Sequence, residues 1–150
     1  MTRLLAAAAI ALSVGPAFAS SDDIIKLRST SDVATTMDRL EEAVSGAGAN
    51  VFARVDHAAG AASVDMELDP TQVLIFGNPK IGTQAMQDDP VAGLFLPMKM
   101  LVYQDAAGQT WLSYEDPKEM FDDLEISDDA PYIKMMIGAL DKLTSKAAGQ

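Results

Sequence analysis

The sequence contains no cysteine and a single histidine, His57. Without thiols the chain has no disulfide, zinc–thiolate site or thiol nucleophile, and one imidazole excludes any centre built from several histidines. Basic residues are also scarce, since 11 Lys and Arg stand against 22 Asp and Glu for a formal net charge of −11. An acidic surface repels phosphate backbones and anionic lipid headgroups. We therefore predict that the protein has no nucleic-acid partner.

The N-terminus has the pattern of a secretory signal peptide. Arg3 supplies a positive charge, residues 4–14 are apolar except for Ser13, and Ala17-Phe18-Ala19 is a small-x-small cleavage site. The apolar run is shorter than the about 20 residues of a membrane-spanning helix. Because the chain has no cysteine, a lipid anchor attached to a cysteine after the signal peptide is also excluded. We predict cleavage after Ala19, a periplasmic location without a stable membrane anchor, and one domain over residues 20–150.

Two kinds of periodicity organise the first half of that domain. Apolar residues at 33, 37, 40 and 44 recur at helical spacing, between N-cap candidates at 29–32 and the glycines at 46 and 48. They predict an amphipathic helix of about fourteen residues. Strands are predicted at 24–28 and 51–55, and a short Ala-rich helix is predicted after His57.

The densest apolar runs lie between Asp69 and Pro117. Residues 73–76 are apolar throughout, which predicts an interior strand covered on both faces. Residues 98–103 and 110–114 predict a hairpin, and a stripe from Ile133 to Leu143 predicts a last helix, capped by residues 127–129 and frayed from Ser145. The fold class is therefore α+β, a single compact domain in which a mixed sheet of about five strands, with an antiparallel hairpin, packs against helices.

Three segments of this region resemble the bacterial family called domain of unknown function 302. They are residues 70–83 (PTQVLIFGNPKIGT), 96–99 (LPMK) and 113–117 (SYEDP), and His57 fits the family's histidine followed by small residues. The resemblance implies a compact α+β domain, often found alone, with a homodimer as the suggested assembly. The family has no established activity, so no catalytic residue is carried over. Many relatives have a basic residue and a His or Tyr shortly after Asp-Pro, and Phe121-Asp122-Asp123-Leu124 departs from that pattern.

The segment from Gly77 to Thr83 is the main candidate for a binding site. It follows the predicted buried strand and leads into a helix N-terminus, where backbone N–H groups attract anions. A purely structural interpretation remains open, because glycine and proline also serve tight loops. The candidate ligand-binding residues are Gly77, Asn78, Lys80, Gly82, Thr83 and His57.

The eight methionines beyond the predicted cleavage site raise the question of copper, since thioethers are soft ligands that select copper(I). Met37 and Met136 fall on the apolar helix stripes, so flexible core packing is the favoured interpretation. We predict no cofactor and no metal site.

The sequence lacks a recognisable catalytic constellation. The favoured hypothesis is a non-enzymatic exported domain that binds a small ligand or a protein partner. One alternative is an enzyme of unrecognised type, in which His57 acts as a base together with Asp56 or Glu115. The other is a structural or stress-related interaction protein, in which the Gly77–Thr83 segment serves only the fold.

Overall fold

The structure of the chain, a computed structural model, describes residues 23–150. The predicted signal peptide, residues 1–19, lies outside the described residues. Among the helices of residues 23–150, none is long and apolar enough to cross a membrane.

Strands and helices follow one another in the order that the sequence predicts. The strands are β1 (Ile24–Arg28), β2 (Asn50–Asp56), β3 (Thr71–Gly77), β4 (Met98–Gln104) and β5 (Thr110–Glu115). The α-helices are α1 (Val33–Gly46), α2 (His57–Ala62), α3 (Pro79–Asp88), α4 (Pro117–Met120) and α5 (Pro131–Ala148), and a 3₁₀ helix spans Pro90–Leu94. The α+β class and the single domain are confirmed.

The five strands form one sheet in the order β1-β5-β4-β3-β2. Every neighbouring pair is antiparallel, so the prediction of a mixed sheet is wrong in this respect. The reason lies in the β1-α1-β2 connection, which carries the chain from one edge of the sheet to the other. β1 and β2 run in the same direction, but three strands separate them and they make no parallel pair.

The core lies between α1, α5 and one face of the sheet. α1 contributes Met37 and Leu40 and α5 contributes Ile133 and Leu140, all fully or almost fully buried. The sheet contributes alternate residues, because successive side chains of a strand point to opposite faces. These are Leu74, Phe76, Met98, Met100, Val102, Leu112 and Tyr114.

The ends of α1 are formed by the residues that the sequence indicates. Asp32 is the N-cap, and its carboxylate accepts a hydrogen bond from the backbone N–H of Thr35 at 2.7 Å. Gly48 follows the helix with a φ of 72°, a left-handed conformation that favours glycine. The helix has the predicted length of 14 residues.

Three local predictions are wrong. α5 starts after Ala130 without a side-chain cap, and it continues past Ser145 because Ala147 and Ala148 are buried against the body of the domain. β3 is an interior strand, but only Leu74 and Phe76 are buried while Val73 and Ile75 remain partly exposed. The sheet therefore has one face packed against the long helices and one open face.

Candidate functional site

Two of the sequence motifs pack against each other at the end of β3. A Cβ atom on Gly77 would lie 3.4 Å from the Cβ of Pro97, and a Cβ atom on Gly82 would lie 3.4 Å from Cδ1 of Leu96. The Gly-Asn-Pro segment and the Leu-Pro segment are therefore close neighbours, and a methyl group on either glycine would just reach van der Waals contact with the other segment.

The N-terminus of α3 has no free backbone donor in its first turn. Asn78 Oδ1 accepts from the backbone N–H of Lys80 at 3.0 Å, and Asn78 O accepts from those of Ile81 and Gly82, both at 2.9 Å. Pro79 has no N–H to offer. The donors that would hold an anion are therefore already used by Asn78, so the geometry favours a different kind of ligand.

An apolar cavity of about 310 Å³ lies beside this segment. Gly77, Asn78, Gly82 and Thr83 form part of its wall, so four of the six candidate residues are brought together. The remaining wall comes from the α1–β2 connection, β2, the C-terminal part of α3, β4 and α5. Its side chains include Phe52, Met86, Met98, Met136, Ala139, Leu140 and Leu143.

The cavity wall carries two polar groups without an intramolecular hydrogen bond in the described part of the chain. They are the side-chain amide nitrogen of Asn78, whose oxygen caps α3, and the hydroxyl of Thr83. An apolar cavity with a few polar groups at one side is the usual form of a small-molecule site. The arrangement suits a molecule with an apolar body and one polar end.

The other two candidate residues lie apart from the cavity. Lys80 is exposed on α3 and does not line the wall. His57 follows β2 at the opposite end of the sheet, since Asn50 pairs with Gly77 and Asp56 with Gln72. Five residues of strand separate the two ends, roughly 17 Å.

The structure does not bring together a catalytic pair of His57 with Asp56 or Glu115. The Asp56 carboxylate accepts from the backbone N–H of Ala59 at 2.9 Å and from the Gln72 amide at 3.2 Å, so it caps α2. Glu115 lies on β5, and two strands separate β5 from β2. Residues 23–150 also contain no group of three or more His, Asp or Glu side chains placed to hold a metal ion.

A second, polar depression lies at the other end of the molecule, between β1, the start of α1 and the β4–β5 turn. It is lined by side chains such as Arg28, Ser29, Gln109 and Gln150. Their polar groups bond within the chain: Ser29 to Thr36 at 2.7 Å, Gln109 to the Ser29 carbonyl at 3.0 Å, and Gln150 to the Arg28 carbonyl at 3.2 Å. These bonds join the end of β1 to α1, to the β4–β5 turn and to Gln150, and they leave little for a ligand.

The sequence does not predict the wall of the cavity that α5 forms opposite the Gly77–Thr83 segment. Ala139 stands between Met136 and Leu140 on the stripe of α5, and a small residue in such a stripe is the one local signal of a space beside the helix. The wall joins residues about sixty positions apart, so only the fold brings them together.

Comparison with known proteins yields curated relatives that share most of this chain. The "Fluoride-specific ion channel FluC 1" of Brucella suis biovar 1 (strain 1330) is 39% identical over 128 residues, which are 84% of this chain and 50% of that protein. The "Fluoride-specific ion channel FluC 2" of Brucella melitensis biotype 1 is also 39% identical over 128 residues, 84% of this chain and 47% of that protein. The chain thus spans about half the length of these relatives.

A solved structure and a family model agree with the fold. The crystal structure of an uncharacterized conserved protein DUF302 from Bacillus stearothermophilus superposes with a TM-score of 0.68 at 19% identity, covering 86% of this chain and 98% of that one. At this identity the match shows the fold alone. The model of the family "Domain of unknown function DUF302" matches residues 25–143. Since that span runs from the second residue of β1 through the other four strands and most of α5, the chain belongs to the DUF302 family.

Proposed function

We propose that this protein is a non-enzymatic, periplasmic binding domain whose ligand is a small, largely apolar molecule. The observation that carries the proposal is the apolar cavity of about 310 Å³ beside the Gly77–Thr83 segment. The periplasmic location rests on the signal-peptide pattern of residues 1–19.

The cavity also indicates the size and polarity of the ligand. Its volume is at the small end of the roughly 300–1,000 Å³ that small-molecule sites occupy. Met98, Met136 and Leu140 would contact the apolar body, and methionine side chains adapt to irregular shapes. The free amide of Asn78 and the hydroxyl of Thr83 would hold the polar end by hydrogen bonds.

Filling the cavity tests the proposal. Ala139→Leu replaces a methyl group of the α5 wall by an isobutyl group, whereas Ala34→Leu makes the same replacement at an exposed position of α1. The probe is N-phenyl-1-naphthylamine, a neutral apolar fluorophore of suitable size. We expect wild type and Ala34→Leu to enhance its fluorescence alike, and Ala139→Leu to bind at least about tenfold more weakly, a loss of about 1.4 kcal/mol. Equal binding by the two variants, or no enhancement with wild type, would reject the cavity as the site.

A second candidate function concerns a protein partner. Relatives named fluoride-specific ion channels carry this domain in about half of their length. We propose, as an alternative, that this protein assists a fluoride channel of the same cell. If so, a fluoride-sensitive strain that expresses a channel should tolerate more fluoride when it also produces this protein, and the His-tagged protein should retain the channel in detergent extracts. Unchanged tolerance together with no retention would contradict this alternative.

A further inference from the structure

The sheet presents a second face that the two long helices do not cover. The register places Val55, Val73, Leu101 and Ser113 in one row across β2, β3, β4 and β5, and Tyr103 beside Trp111 in the next. With Ile75, these side chains point away from the face that carries Leu74 and Met100. We call Val55, Val73, Ile75, Leu101, Tyr103 and Trp111 the open face.

The apolar side chains of the open face are incompletely buried. Val55 is 38% exposed, and the other five are intermediate between buried and exposed. A sheet that faces water usually places polar residues on that side. An apolar centre on a contiguous surface of this kind is typical of an interaction site.

Charge separates the open face from the rest of this acidic molecule. Lys26, Arg28 and Lys99 lie on the same side of the sheet. Two carboxylates accompany these three cations, those of Glu115 and of Asp105, and Asp105 accepts a hydrogen bond from Trp111. None of these five side chains belongs to an ion pair within residues 23–150. Two chains that each carry a net charge of −11 repel least through their least acidic surfaces.

The area of the open face also suits a dimer interface. Five strands about 4.8 Å apart and roughly six residues long make a face of about 24 by 20 Å. Two such faces in contact bury roughly 1,000 Å², the lower limit for a specific interface.

From these observations we infer that two copies of this chain pair through their open faces, around a two-fold axis. The apolar centres meet, and the Glu115 carboxylate of one copy faces the cationic side chains of the other. Such pairing is self-complementary, as an interface between identical chains requires. The inference concerns a different surface from the ligand cavity and does not depend on the proposed function.

Two lysine substitutions test the inference on the chain from Ser20 to Gln150. Leu101→Lys places a charge in the centre of the open face, and Leu94→Lys places one at a site that is 80% exposed in the 3₁₀ helix. In sedimentation velocity we expect wild type and Leu94→Lys to be dimers at 50 µM, and Leu101→Lys to have a dissociation constant at least about 30-fold higher. A monomeric wild type, or a Leu101→Lys dimer as stable as wild type, overturns the inference.

Trp111 provides a measurement that needs no substitution. It is the single Trp of the chain and lies on the open face, where its Nε1–H donates to the Asp105 carboxylate at 2.8 Å. We expect its emission maximum to shift to the red when wild type is diluted from 50 µM to 50 nM, because the indole loses its partner surface. An emission maximum that stays constant while sedimentation shows dissociation would place the interface elsewhere and overturn the inference.

Discussion

The glycine residues of this chain differ in their surroundings. At Gly77 and Gly82 a Cβ atom would lie 3.4 Å from Pro97 and Leu96, an ordinary van der Waals contact. At Gly48 nothing lies within 4 Å of the missing Cβ, but φ is 72°, so glycine serves the backbone conformation. The sequence shows a glycine in each place and does not distinguish the two.

Gly48 and Gly46 form a matched pair for testing whether the backbone conformation at residue 48 requires glycine. Neither would place a Cβ near another atom, but Gly46 is the last residue of α1 and has no positive φ. We expect Gly48→Ala to lower the free energy of unfolding by about 1 kcal/mol. Gly46→Ala should leave it unchanged or raise it by about 0.5 kcal/mol, because alanine is the better helix former.

Urea unfolding of the two variants at neutral pH measures this difference. Equal losses of stability in both would mean that conformation at Gly48 is not the cause. The m-value should stay constant, since neither change alters the area exposed on unfolding.

Helix α5 is joined to its neighbours by two tyrosine hydroxyls. Tyr132 of α5 donates to the Asp88 carboxylate at the end of α3, at 2.7 Å, and Tyr114 of β5 donates to Asp141 of α5, at 3.2 Å. Burial, followed by the neighbouring carboxylate, raises the pKa of both tyrosines to about 12. Each phenol is therefore held neutral in the folded state at pH values where a free tyrosine ionises.

Alkaline pH should weaken this attachment. The folded-state pKa lies above the ordinary value of 10.0, so the stabilisation is complete below pH 10 and is lost as the pH rises towards 12. We expect wild type to lose stability between pH 8 and pH 11. Tyr132→Phe should lose less over that interval, although at pH 8 it starts about 1 kcal/mol lower because the hydrogen bond to Asp88 is gone.

Urea unfolding at pH 8 and pH 11 measures this loss of stability. The double variant Tyr132→Phe/Tyr114→Phe shows how much of the loss remains when neither phenol can ionise. The double variant should show the smallest dependence on pH of the three proteins. If all three lose the same stability between pH 8 and pH 11, these tyrosines are not responsible for the alkaline transition.

For the molecule as a whole, the net charge of −11 should govern the association of two copies. Two acidic chains repel each other at long range, and salt screens that repulsion with a Debye length of about 10 Å at 0.1 M. Raising NaCl from 20 to 300 mM should therefore strengthen the proposed dimer, in contrast to an interface held mainly by opposite charges. Sedimentation equilibrium at the two salt concentrations measures it, and weaker association at high salt would contradict this account.

Local chemistry determines much of this protein before any tertiary contact is considered. The helical stripe from Val33 to Val44, the Asp32 cap and the hairpin of β4 and β5 all appear where the sequence predicts them, because spacing and capping act within a few residues. The resemblance to the DUF302 family is also recognisable from short ordered motifs, and the family model that matches residues 25–143 confirms it. The acidic surface and the absence of thiol chemistry follow from composition alone.

Only the tertiary structure decides what lies beside those elements. The apolar run at residues 73–76 predicts a strand, but its open side follows from α1 and α5 both packing on the other face of the sheet. The antiparallel order follows from α1, which places β1 and β2 at opposite edges. The cavity exists because α5 brings Met136 and Leu140 to a segment about sixty residues earlier in the chain. Such contacts depend on how elements pack, and packing is set by surfaces from distant parts of the chain rather than by any local pattern.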